Sequence, residues 1–95
     1  MQTQRVFRCP HILFRELAGE SVLLDLQTGQ YYGLDAVGTR VWQLLSQFDD
    51  WLQLGQVLLA EYDVDQAVLE QDLQELLAQL AQANLVALQT EDGMA

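Results

Sequence analysis

Apolar residues follow two periods along this chain, and the change comes at Asp35. Before it, Val22, Leu24 and Leu26 alternate with Leu23 and Asp25, as in a half-buried strand. Thr28-Gly29 stands where a hairpin loop needs a residue of positive φ, which glycine adopts at little steric cost. Tyr31 and Tyr32 favour extended structure and start the return strand, which Leu34 ends. A looser alternation over 11–17, with Ile12, Phe14 and Glu16 on one side, reads as an earlier strand, and Ala18-Gly19 as its turn. Three short strands with short connections predict an antiparallel meander.

After Asp35, the first N-cap, the spacing becomes helical. Val37, Val41, Trp42 and Leu45 mark a helix over about 36–47, and Gly38 within it allows close packing on the sheet. Asp50 with Gln53 forms a capping-box pattern and opens a second helix, with Leu54, Val57, Leu58 and Tyr62 inward. Asp65 caps a third helix over about 66–83. Its core stripe is Leu69, Leu73, Leu76, Leu77 and Leu80, while Glu70, Gln71, Gln74 and Gln82 face water. Asn84 suits a left-handed cap. Residues 85–88 either add a short strand or pack back. Residues 1–4 read as frayed, 5–10 as extended or irregular, and 90–95 as a flexible acidic tail. The expected fold is α+β: a three-stranded antiparallel sheet followed by three helices, winged helix-turn-helix-like. It forms one domain over 1–95 with an ordered core at about 11–88.

Charge narrows the partners. The formal net charge is −10, from four Arg, no Lys and fourteen acids. The Arg residues (Arg5, Arg8, Arg15, Arg40) all precede Val41, whereas ten of the acids follow it with no basic residue among them. Such a surface repels phosphate backbones and attracts a basic or neutral peptide. About half the residues are hydrophobic, enough for a single modest core. Cys9 is the only cysteine, so no internal disulfide forms. No apolar run has membrane-spanning length, and no signal-peptide pattern opens the chain. These features favour a soluble, cytoplasmic protein that uses neither nucleic acid nor membrane.

No residue pattern points to catalysis. His11 and Cys9 lack the further ligands a metal needs, and Cys9 lacks a general base. Asp49-Asp50 and the acids Glu61, Asp63 and Asp65 lack the glycine and terminal Glu of a calcium loop and are more simply caps. There is no phosphate-binding glycine loop, no Ser-His-Asp set and no Cys-x-x-Cys. The expectation is a non-enzyme without metal or cofactor.

The meander itself offers a binding edge. Residues 30–34 lie at its end, with unpaired N–H and C=O groups. An added peptide strand satisfies them at about 0.5–1.5 kcal/mol per bond. Those bonds read no sequence, so specificity falls to one face of the third helix: Val68, Asp72, Glu75, Leu76 and Gln79. Asp72 and Glu75 suit a basic or polar peptide residue, and Leu76 and Val68 an apolar one. Plainer roles stand beside these: one tyrosine packed and one exposed, Leu76 in the core, Asp72 solvated or paired with an Arg.

The hairpin and the helix after it resemble the PqqD-like family, the RiPP recognition elements. The matching residues are Val22-Leu23-Leu24-Asp25, Thr28 through Asp35, and Val37-Gly38-Thr39-Arg40-Val41-Trp42. Glu61 through Asp65, Asp72-Leu73, Leu76-Leu77 and Ala83-Asn84-Leu85-Val86 follow in the family's order, with Asn84 where Gly is more usual. The resemblance spans about 12–86. It implies a domain that binds the leader of a ribosomally made precursor peptide and hands it to a modifying enzyme, such as a radical enzyme, protease or cyclase. Pyrroloquinoline quinone and lasso peptide pathways use such domains. The leader would add to the strand of Gln30, Tyr31, Tyr32, Gly33 and Leu34, beside the third helix. Two other readings use the same elements. One is a dimerisation module pairing through the same edge. The other is a winged-helix DNA-binding protein, disfavoured because its recognition helix would carry Glu70, Asp72 and Glu75 with no basic residue.

Overall fold

The structure, a computed structural model, describes residues 3–91. Strands β2 (Ile12–Leu17), β3 (Glu20–Asp25) and β4 (Tyr31–Leu34) form an antiparallel sheet in that order. Helices α1 (Ala36–Leu44), α2 (Trp51–Glu61) and α3 (Gln66–Gln82) follow. The α+β architecture of a sheet followed by three helices is therefore present. A two-stranded antiparallel ribbon is added to it, pairing β1 (Thr3–Arg8) with β5 (Val86–Glu91).

The ribbon corrects the reading of both ends. Thr3 and Gln4 are paired strand rather than frayed, and β5 extends the short strand considered at 85–88. Thr90 and Glu91, the start of the expected acidic tail, belong to β5, while 92–95 lie outside the described residues. Val6, in β1, is fully buried, and its N–H donates to Asp49 C=O at 2.8 Å. Arg5 adds a 2.8 Å ion pair to Asp49. The expected first helix stops at Leu44, with turn residues to Gln47.

Local chemistry sets the helix ends. Asp35, Asp50 and Asp65 each accept a backbone N–H of the first turn, from Gly38, Leu52 and Ala67 at 2.8, 3.0 and 2.8 Å. α3 closes on Asn84 at φ 61°, with Asn84 N–H bonded to Ala81 C=O and Leu85 N–H to Leu80 C=O. This double bond pattern satisfies orphan carbonyls and buries Leu85 beside Leu80, returning the chain toward β5.

One core joins the layers. Leu23, Val41, Leu54 and Leu58 are fully buried, together with Trp42, Leu69, Leu73, Leu77 and Leu80. Leu76 is only half-buried. The face of β3 differs from the simple apolar alternation. Ser21, Leu23 and Asp25 point inward, while Val22 is exposed and Leu24 partly so. Two of these inward side chains are polar and each has a partner: Ser21 Oγ shares a 2.8 Å hydrogen bond with Thr39 Oγ1 on α1, and Asp25 holds the following turn.

The β2–β3 turn places Ala18 at φ 54° and Gly19 at φ 84°. Both central residues are left-handed, the geometry for which Asn-Gly is the favoured pair. Ala18→Asn should therefore raise stability by about 0.5–1 kcal/mol, since Asn tolerates this region better than Ala. Urea unfolding at neutral pH checks it.

Candidate functional site

Among the described residues, β4 has a strand partner on one side only. Antiparallel pairing alternates between bonded and unbonded pairs, and both backbone groups of one residue point the same way. Asp25 N–H donates to Gln30 C=O at 2.9 Å, which fixes the phase. Along the register Leu24↔Tyr31, Leu23↔Tyr32, Val22↔Gly33 and Ser21↔Leu34, the bonded partners of β3 are then Tyr32 and Leu34. Tyr31 and Gly33 aim their N–H and C=O at the open edge. Gln30 stands one residue before β4, and its Oε1 accepts from the Tyr32 hydroxyl at 2.7 Å.

The side chains alternate likewise. Tyr32 and Leu34 are half-buried and pack toward the core, while Tyr31 is 70 % exposed on the opposite face. Just past Leu34, a groove opens between the start of α1 and α3. Asp35, Val37 and Gly38 line one side, and Asp72, Glu75, Leu76 and Gln79 line the other above Leu73. Four of the five α3 residues singled out by helical spacing thus line one groove. Val68 is exposed and is not part of that lining. Val37 and Gly38 went unremarked as lining residues. Gly38 carried a signal: a Cβ there would stand 3.3 Å from the Leu34 side chain and from the Asp35 carboxylate.

Asp25 holds the loop that delivers the chain to β4. Its Oδ1 accepts from Gln27 N–H at 2.8 Å and Thr28 N–H at 3.2 Å, and its C=O accepts from Gly29 N–H, where φ is 78°. His11 Nε2 lies 3.7 Å from the same carboxylate oxygen. Burial pushes this carboxyl up. The bonds from Gln27 and Thr28, with nearby His11, outweigh burial and leave it below the ordinary Asp value. An Asp followed by Thr-Gly in a loop is a recognisable turn signal.

Other chemistry is not assembled here. Burial, with the charge of Asp25 adding to it, pushes the Cys9 thiol up, away from the reactive thiolate. Among the described residues, no group of three His, Cys, Asp or Glu side chains is placed to hold a metal ion. No helix among them is long and apolar enough to cross a membrane. Trp42 is core, with the Arg8 guanidinium 5.7 Å from its ring centre. Trp51 lines a separate cleft between α2 and α3, together with Leu52, Gly55, Leu59 and Leu69. α3 carries no basic residue.

The described residues thus form an α+β fold in which one open strand edge lies beside a helix groove. The chain belongs to the PqqD family: the family model for coenzyme PQQ synthesis protein D matches residues 20–86. A solved structure of TbiB1 in complex with the TbiA(beta) leader peptide is 37 % identical, with a TM-score of 0.79 over 94 % of this chain and 98 % of that one. A lasso peptide synthetase B1 complexed with the leader peptide is 25 % identical, with a TM-score of 0.75 over 87 % and 98 % of the two chains. No curated protein matches.

The lowered carboxyl of Asp25 has a pH consequence. A group whose folded pKa lies below its unfolded value adds stability above the unfolded value, near pH 4 as a rough figure. That contribution is lost as pH falls through the folded value. Asp25→Asn should be less stable than wild type at neutral pH, with the gap narrowing below about pH 4. Urea midpoints of both proteins across that range measure it.

Proposed function

We propose that this chain binds the leader segment of a ribosomally made precursor peptide as a strand added to β4 and presents it to a maturation enzyme. The observation that carries this is the phase of β4, whose Tyr31 and Gly33 backbone groups face the open edge beside the α1–α3 groove. Membership of the PqqD family supports it, as do two structural relatives that were solved with leader peptides.

The division of labour follows from the chemistry. Backbone bonds to Tyr31 and Gly33 supply sequence-independent affinity, and Tyr32 and Leu34 set the inner side of the strand. Leu76, Val37 and Leu73 receive an apolar leader residue in the groove. Asp72, Glu75 and Gln79 at its rim favour a basic or polar neighbour, and exposed Val68, two helical turns before Leu76, offers a further apolar contact outside the groove. Gln30, bonded to the Tyr32 hydroxyl, orders the entry to the strand. The role is binding rather than catalysis. The acids that crowd the helices suit a basic face on the enzyme that receives the peptide, at a site inside the cell where such peptides are made.

Tyr31→Pro deletes an N–H that faces the open edge and leaves the bonds to β3 in place. It should weaken binding of a synthetic leader peptide, taken from the precursor encoded beside this chain, by about tenfold or more while the far-UV spectrum stays unchanged. Tyr31→Ala keeps the N–H and should cost less. Equal binding by Tyr31→Pro and Tyr31→Ala, read by fluorescence anisotropy, would contradict strand addition. Asp72→Arg combined with Glu75→Arg should weaken a leader that carries a basic residue several-fold, with the loss shrinking as salt is raised.

A further inference from the structure

The fold does not require Gly33 to be glycine. Its register with Val22 is unbroken, its φ is outside the left-handed region, and a Cβ added there meets nothing within 4 Å. Glycine weakens a strand through backbone entropy and through the lack of a side chain to pack. A β-branched residue would suit the position better. In an unbroken strand, the remaining use for glycine is close approach by another group.

Its missing side chain leaves a notch on the outer face of the sheet, at the open edge. Val22 forms the floor and Leu17 a wall, with Glu20 and Asp35 toward the α1 end. Helix α1 packs on the other face, where Ser21 and Glu16 bond Thr39 and Gln43. The notch therefore opens away from the α3 groove. Leu17, 67 % exposed, and Leu13, 54 % exposed, share this face with Tyr31, two residues before Gly33, and Arg15 stands between the two leucines opposite Val22.

Strand geometry says what can enter. A strand laid along β4 alternates its side chains, those opposite Tyr32 and Leu34 falling on the helix side and those opposite Tyr31 and Gly33 on the outer face. We infer that Gly33 opens a second subsite, which takes an apolar side chain of the bound leader over Val22 and Leu17. This rests on the strand-addition reading above. The leader is then read from both faces of the sheet. Val22 and Leu17 give an apolar side chain a surface without hydrogen-bonding groups, and Glu20 and Asp35 at one end repel an acid.

The test is a double-mutant cycle by calorimetry. The probes are the synthetic leader of the precursor encoded beside this chain and versions with each apolar residue changed to alanine. Gly33→Val fills the notch and should keep or raise the melting temperature. It should weaken the unsubstituted peptide about tenfold or more. One alanine peptide should lose about as much against wild type, yet bind Gly33→Val no worse than the unsubstituted peptide does. Binding by Gly33→Val within about twofold of wild type, or one equal loss for every peptide, overturns the subsite and leaves strand addition standing. A wild-type chain that binds none of the peptides overturns strand addition and the subsite with it.

Discussion

Backbone N–H and C=O groups must be paired or left to water, and β4 meets that demand on one side only. The surrounding structure holds it in that half-satisfied state. Before the strand, Asp25 gathers the N–H groups of Gln27 and Thr28. After it, Asp35 caps α1 directly, and Gly38 lets that helix sit against Leu34. Beneath it, the buried Ser21–Thr39 hydroxyl pair ties β3 to the same helix. An edge fixed at both ends is ordered before any partner arrives, so a bound strand bears most of the ordering cost itself.

The remaining elements keep that edge uncovered. α3 stands off from β4 and leaves a groove lined by Leu76 above Leu73, while Leu69, Leu77 and Leu80 are buried in the core. Its Asn84 closure turns the chain back so that β5 pairs with β1. This pairs the first and last described strands with each other. Half-exposed Arg40 holds Glu61 through two hydrogen bonds, tying α1 to the end of α2 and lowering the Glu61 carboxyl. An exposed pair of this kind is worth at most about 1 kcal/mol. Its use here is to keep the acidic end of α2 in place.

Features set by neighbours in sequence were legible. The caps at Asp35, Asp50 and Asp65, the left-handed Gly29 and Asn84, and the third helix with its leucine stripe all follow from local chemistry. β1 was not legible, because its polar residues buy little burial alone and its partner β5 lies at the far end of the chain. The face of β3 was inverted for a related reason. An alternating pattern assigns the apolar side inward, but Ser21 is buried against Thr39, a partner that only the fold supplies, and Asp25 turns inward to hold its own turn. The groove was half legible: helical spacing found Asp72, Glu75, Leu76 and Gln79, while Val37 served only to mark the first helix. The outward phase of Tyr31 and Gly33 required the register itself.

Amide hydrogen exchange, residue by residue, with and without the leader peptide, tests the central claim most directly. In the free chain, the Tyr31 and Gly33 N–H groups should exchange quickly, and those of Tyr32 and Leu34 slowly. Saturating peptide should slow Tyr31 and Gly33 and leave Tyr32 and Leu34 little changed. A bound peptide that leaves Tyr31 and Gly33 in fast exchange would mean that it does not add to β4, and the account of this edge would be wrong.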